Sequence, residues 1–254
     1  MSELLIRERS DGIEILTINR PEVRNALNPV LNRLLEDAFL ECDADPQVRV
    51  IILTGAGEKA FSSGMDLKSF ARGEFDIGDQ GFGGITRLTL SKPVIAAVNG
   101  LALAGGFEIV LSCDLVIASE DATFGIPEVA RGLMAAAGGL VRLPRRIPPP
   151  VAYEIALTGL PIGAQRAFEL GLVNRVVAPS DVLSAAIELA RSIVANAPLS
   201  VSKSLEVMRK AHELSEQDAW ILSNRAYDFV SHSSDATEGA EAFAQRRSPI
   251  WTGH

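Results

Sequence analysis

The sequence predicts an α/β protein built from repeated β-β-α or β-α units and completed by a helical C-terminal region. Three observations predict it. Short apolar runs rich in β-branched residues, "VRVIILTG", "PVIAAVNG", "CDLVIAS" and "GLVNRVV", recur with helical patterns between them, the composition of parallel strands buried on both faces. After Pro179-Ser180-Asp181 the strand signals stop and the apolar spacing becomes helical. The 254-residue chain is 47% hydrophobic, enough to fill a substantial core. No repeat is visible at the level of the sequence itself.

Each element has a local reason. "LLIRERSDGIEILTINR" reads as two alternating strands joined at Asp11-Gly12, a dipeptide that accepts positive φ. Asn28 caps a helix with Pro29 at its first position, and Leu31, Leu34, Leu35 and Ala38 form its apolar face. "VRVIILTG" and "PVIAAVNG" follow as strands, separated by a long polar, glycine-rich segment. In the C-terminal part Leu183, Ile187, Ala190 and Val194 fall at helical spacing, and three further helical patterns precede "SPIWTGH". We therefore expect a core over residues 1–180 and a helical region over 181–254, with enough apolar helix faces for self-association.

Composition excludes some classes of function. The net charge is −8 and no run of Lys and Arg provides a basic face, which argues against nucleic acid as a partner. Cys42 and Cys113 lie far apart in apolar segments, as buried free thiols of a reducing, cytoplasmic compartment do. "MSELLIRERSDG" is charged throughout, and the most apolar later segment, "PVIAAVNGLALAGG", is interrupted by Asn99 and Gly100, so no membrane-spanning segment is expected. His212, His232 and His254 are too scattered for a metal site. The glycines of "LTGAGEKAFSSG" do not fall as G-x-G-x-x-G, and Ser62 and Ser63 lack the G-x-S-x-G setting of a nucleophile.

Chemistry concentrates in three stretches. In "KAFSSGMDL" a Ser-Ser-Gly turn directly follows an apolar strand, and by itself it is an ordinary surface turn. In "NGLALAGGFEIVLSCDLVIAS", Gly105 and Gly106 open a helix, where unpaired N–H groups and the positive end of the dipole favour an anion; close helix–strand packing explains the glycines equally well. Two N–H donors converging on one oxygen make an oxyanion hole. Glu108 stands in that apolar helix and Glu128 follows an Ile-Pro turn in "ATFGIPEVARG"; each taken alone is a solvated carboxylate. Together they are what addition of water to a polarised double bond requires, one to activate water and one to move a proton.

These stretches resemble the enoyl-CoA hydratase/isomerase (crotonase) superfamily over essentially the whole chain. "NRPEVRNALN" is similar to its first motif, "AFSSGMDL" to A-F-x-x-G-x-D-L, "KPVIAAVNGLALAGGFEI" to its glycine-rich helix entry and "ATFGIPEVARGL" to its second acidic motif. The resemblance implies a spiral of repeated β-β-α turns, a C-terminal helical trimerisation region with homotrimers or hexamers as dimers of trimers, and acyl-CoA thioester substrates. It implies no metal and no cofactor beyond the coenzyme A of the substrate. It places the oxyanion-hole donors on the backbone N–H groups of Met65 and Gly105 and the acid–base pair on Glu108 and Glu128. It further implies that Arg24, Ala26, Ala60, Ser62, Ser63, Gly64, Asp66, Leu67 and Gly106 line the CoA path, with Arg24, Lys59 and Lys68 supplying positive charge for its phosphates. The activity expected is hydration of a 2-trans-enoyl-CoA to a 3-hydroxyacyl-CoA in fatty-acid or related acyl-CoA metabolism. The alternatives are an isomerase or specialised dehydratase and, in another class, a noncatalytic acyl-CoA-binding protein. The sequence departs from the short-chain hydratase pattern in "GLMAAAGGLVRLPRRI", at Ala136 and Leu140, and in the glycine-rich, acidic segment "SFARGEFDIGDQGFGG".

Overall fold

A computed structural model describes residues 3–74 and 76–254. The chain opens with the hairpin β1 (Leu5–Ser10) and β2 (Ile13–Ile18), antiparallel, with Asp11 and Gly12 at φ 52° and 79°, the left-handed pair that a two-residue turn between twisted strands needs. Helix α1 (Pro29–Ala44) starts where expected, the Asn28 side chain accepting the Leu31 N–H at 2.9 Å. Its buried face is Leu31, Leu35, Ala38, Phe39 and Cys42, whereas Leu34 is exposed. The expected face is thus rotated, because 31-35-38-42 is the stripe that meets the sheet.

The strands β3 (Val50–Gly55), β5 (Val94–Val98), β7 (Leu115–Ser119) and β10 (Arg175–Val177) complete a six-stranded sheet of order β1-β2-β3-β5-β7-β10, parallel from β2 onward. Its alternation sorts side chains to two cores. Ile51, Leu53, Val94, Ala96 and Val98 point into the larger cluster with α1, while Val50, Ile52, Ile95, Ala97 and Ile117 pack on the other face. That second face is covered by α7 (Val182–Val194) through Val182, Ala186 and Ala190. Leu183 points outward instead, one position off the expected stripe.

After β3, β5 and β7 the chain crosses to a second sheet of very short strands: β4 (Ala60–Ser62), β6 (Leu101–Leu103), β8 (Thr123–Gly125) and β9 (Ile162–Gly163), in the order β4-β6-β8-β9. The first three turns then enter α2 (Leu67–Ala71), α3 (Gly105–Val110) and, through a single 3-10 turn at Pro127–Arg131, α4 (Gly139–Arg146). This is the spiral of β-β-α turns. Because β4, β6 and β8 are parallel neighbours, the residues that leave them, near positions 65, 105 and 128, emerge along one edge.

The chain continues through α5 (Pro149–Thr158) and α6 (Ala164–Glu169), and after α7 come α8 (Pro198–Ala211), α9 (Glu216–Ser231) and α10 (Ser234–Gln245). Arg209 of α8 ties this region to the core through Asp114, with Nε and Nη2 donating to its two carboxylate oxygens at 2.8 and 2.7 Å. Cys42 and Cys113 are buried and unbridged. Among the described residues no single helix is long and apolar enough to cross a membrane.

Candidate active site

The first and second motifs run side by side. Ser63 N–H donates to Arg24 O, Leu27 N–H to Gly64 O and Asp66 N–H to Leu27 O, at 2.8–3.0 Å. Ser62, fully buried, donates from Oγ to Asn25 O and accepts the Gly64 N–H, so its hydroxyl is used within the turn. Asp66 caps α2, accepting the Lys68 and Ser69 amides, and meets Arg20 Nη1 at 3.0 Å. Its burial would raise its pKa, but Arg20 and the two amides hold it below the usual carboxylate range.

This stapling orients the Met65 amide. In the parallel bridge between Leu27 and Met65, the bonds run through the flanking residues, so the N–H of Met65 itself points away from Leu27. Gly64 lies at φ 87°, and a Cβ added there would come 2.8 Å from Gly105 N. The turn at 64–65 is therefore packed directly on the start of α3. A Cβ on Gly106 would lie 2.2 Å from Ser62 O, which is why this helix entry needs glycine. Ala104, just before it, has φ 52° and ψ −130°, a conformation costly for a residue with a Cβ; its carbonyl accepts the Phe107 and Glu108 amides and its N–H donates to Gly125 O. Among the described residues no acceptor takes the N–H of Met65 or of Gly105. Two amides without an acceptor thus lie on adjoining turns.

Glu108 sits on α3 and is 3% exposed, against the helix-face reading of the residue in isolation. Its Oε1 accepts the Ala137 and Gly139 N–H groups, each at 2.8 Å. Burial pushes its pKa up, while the amides of Gly139 and Ala137 and the nearby Arg142 guanidinium oppose the rise. Neither amide was singled out by sequence reading; the Gly138-Gly139 pair was the available signal. The two departures from the hydratase pattern, Ala136 and Leu140, are exposed and leave this cradle in place.

Glu128 is half-buried in the 3-10 turn after β8, and its Oε2 is enclosed with no hydrogen-bond partner. Burial, opposed by its own backbone N–H and reinforced by the charge of Glu108, raises its pKa to about 7. Such a group is protonated in the fold over a range where the unfolded chain has already ionised. Stability is therefore whole below the ordinary value of 4.5 and lost as the pH rises through about 7. Glu128→Gln should accordingly melt at a higher temperature than the parent at pH 8, with the difference fading toward pH 4.5; thermal melts across this range check it, and a difference independent of pH contradicts it.

The remaining predicted positions divide between a cleft and α2. Arg24, Lys59 and Ala60, with Pro21, Asn25 and Gly57, line a cleft of about 420 Å³. The Arg24 and Lys59 side chains are exposed there, as are Leu67 and Lys68 on α2. Ala26 and Ala60 are buried and their carbonyls are engaged, by Arg20 Nη1 at 2.6 Å and Asn25 Nδ2 at 2.7 Å.

Residues 8–254 match the family model described as Enoyl-CoA hydratase/isomerase. The chain belongs to that family. It is similar along its whole length to a carnitinyl-CoA dehydratase of Salmonella arizonae, 44% identical with all of both chains covered. The crystal structure of an enoyl-CoA hydratase from Mycobacterium tuberculosis superposes with a TM-score of 0.96 at 48% identity, covering 99% of each chain. That of a carnitinyl-CoA hydratase from Mycobacterium avium gives 0.80 at 41%, over the full length of both. The crotonase-type spiral anticipated from the motifs is thus the fold of this chain, and its family places it among acyl-CoA hydro-lyases.

Proposed function

We propose that the protein hydrates 2-trans-enoyl-CoA thioesters reversibly, with the Met65 and Gly105 amides as the oxyanion hole and Glu108 and Glu128 as the acid–base pair. The observation that supports this best is a pair of unengaged N–H groups on adjoining turns, with two carboxylates of different character on the elements that follow. Glu108 accepts two backbone amides that oppose the upward push of burial on its pKa, whereas nothing but its own N–H opposes it at Glu128, which is raised to about 7. In the hydration direction Glu108 removes a proton from water as its oxygen bonds to C3. The electron pair of the double bond moves onto the thioester oxygen, which the two amides stabilise, and Glu128 then delivers its proton to C2. One water is added and the glutamates exchange roles in the reverse reaction. Arg24 and Lys59, in the 420 Å³ cleft, supply the positive charge for the CoA phosphates.

A specialised 3-hydroxyacyl-CoA dehydratase is the second reading, favoured by the full-length similarity to a carnitinyl-CoA dehydratase. It uses the same chemistry in reverse. Parallel assays of crotonoyl-CoA, longer 2-enoyl-CoAs and carnitinyl-CoA decide between them: the substrate with the largest kcat/KM identifies the reading, and binding without turnover on all of them would overturn both. The two free, buried thiols fit a cytoplasmic location.

The helical region supports assembly into trimers or dimers of trimers. Trp220, Tyr227, Phe229 and Phe243 on α9 and α10 are 61%, 74%, 55% and 87% exposed, aromatic surface that assembly would cover. Light scattering at micromolar concentration should give three or six times the chain mass; a monomer contradicts the assignment.

A further inference from the structure

Arg142 stands one turn into α4, half-buried, and among the described residues no carboxylate lies within ion-pair distance of its guanidinium. Its donors go to backbone carbonyls instead, Nη1 to Ala137 O at 3.3 Å and Nη2 to Thr86 O at 2.5 Å. A half-buried cation spent on two neutral acceptors is costly unless an anion is near enough to offset it. Burial, and then the charge of Arg146, push the Arg142 pKa down; the first charge to oppose them is that of Glu108.

The geometry brings the two groups onto one loop. Ala137 gives its N–H to Glu108 Oε1 and its carbonyl to Arg142, so a single residue is held by both. A Cβ on Gly138 would come 2.0 Å from Arg142 Nη1, and a Cβ on Gly139 would come 3.1 Å from Glu108 Oε1. The two glycines, the first at φ 103°, thus let guanidinium and carboxylate close on adjacent residues. The bond to Thr86 O reaches the segment that follows the Phe82–Gly84 turn, and the Phe82 ring lies where a Cβ on Gly105 would be 2.4 Å from a ring carbon. Arg142 therefore joins the cradle of Glu108 to the turn packed on Gly105.

Few charges face Glu108. Of the elements packed on α3, β4, β6 and the Phe82–Gly84 turn carry no titratable side chain, and α4 brings Arg142. The 3-10 turn after β8 brings Glu128, a like charge. The other arginines of α4 are directed elsewhere: Arg145 is exposed, and Arg146 donates from Nη2 to Cys113 O at 2.7 Å. Among the described residues Arg142 is the one cation that bears on Glu108.

We propose that Arg142 is a positioning residue for the reaction: its guanidinium clamps the Ala137 loop to the Thr86 segment and holds a positive charge beside Glu108, so that this carboxylate stays ionised and takes the proton from water. The proposal rests on the acid–base roles given above and names the group that sets one of them.

Arg142→Gln removes the charge and Arg142→Lys keeps it, while neither keeps the two-carbonyl fork. In hydration of crotonoyl-CoA the acid limb of the kcat/KM profile reports the base. For Arg142→Gln that limb should move up by about one pH unit, because a carboxylate deprived of its neighbouring cation is protonated more readily. The ratio of wild-type to variant rate should accordingly grow about ten-fold as the pH falls through the limb, over and above any loss common to every pH. Arg142→Lys should leave the limb near its wild-type position. A limb that stays in place in Arg142→Gln, or moves equally in both variants, would overturn the proposal and leave Arg142 a purely structural clamp. A titration that needs no turnover accompanies the kinetics. The infrared carboxyl band of Glu108, identified by its loss in Glu108→Gln, should report an ionised group at pH 7 in the wild-type protein and a midpoint about one unit higher in Arg142→Gln. A wild-type Glu108 still protonated at pH 7 would overturn the proposal even if neither arginine variant folds. Absence of hydration with the band shift intact would refute the hydratase reading and leave the electrostatic role of Arg142 standing.

Discussion

Glu108→Gln is expected to lower hydration of an enoyl-CoA by at least ~100-fold, the size of effect typical of losing a general base, while the fold is kept. The structure says why the variant is clean. The carboxylate is held by its Oε1 alone, and a glutamine carbonyl can accept the same Ala137 and Gly139 amides. A Cβ on Gly139 would sit 3.1 Å from Oε1, so glycine there lets the backbone approach the side chain closely. What the substitution removes is the capacity to take a proton from water. Exchange at C2 should survive in part, because Glu128 and the two amides remain; a saturated acyl-CoA in deuterated water should still acquire deuterium at the α-carbon. An isomerase working through Glu128 alone would tolerate the change almost fully. Hydration near the parental rate would return Glu108 to a purely structural role.

Met65→Pro is expected to cost about 100- to 1000-fold in kcat, against a small loss for Met65→Leu. Proline removes a backbone donor, and here that donor is one that none of the described residues uses. The bonds that hold the turn belong to Ser63, Gly64, Leu27 and Asp66. Leucine keeps the amide and replaces only a half-buried side chain. Circular dichroism must show both variants folded, since proline also restricts the residue before it and Gly64 already lies at φ 87°. Equal losses in two folded variants would take Met65 out of the oxyanion hole.

Much of the architecture was legible from local signals. The Asp11-Gly12 turn, the Asn28 cap and the four apolar β-branched runs each describe a choice made by nearby residues, and each element formed where expected. The second sheet was not legible, because β4, β6 and β8 are three residues each and β9 only two, too short for any periodicity to register. The outward turn of Leu34 and Leu183 shows the same limit on helices: several apolar residues compete for one stripe, and only the opposing sheet decides. At the site, Glu108 and Glu128 were visible as isolated acids in apolar sequence. Their difference in character was not, since it comes from Ala137 and Gly139, about thirty residues downstream of Glu108.

The central claim is that this site adds water across a thioester-conjugated double bond, with one carboxylate working on water and the other on C2. Incubating the wild-type protein with crotonoyl-CoA in deuterated water tests it most directly, followed by absorbance of the conjugated enoyl-thioester and by mass spectrometry of the product. The account predicts loss of that absorbance and a 3-hydroxyacyl-CoA bearing deuterium at C2. A protein that binds the thioester and leaves its double bond and absorbance unchanged, here and with longer 2-enoyl chains, would contradict it.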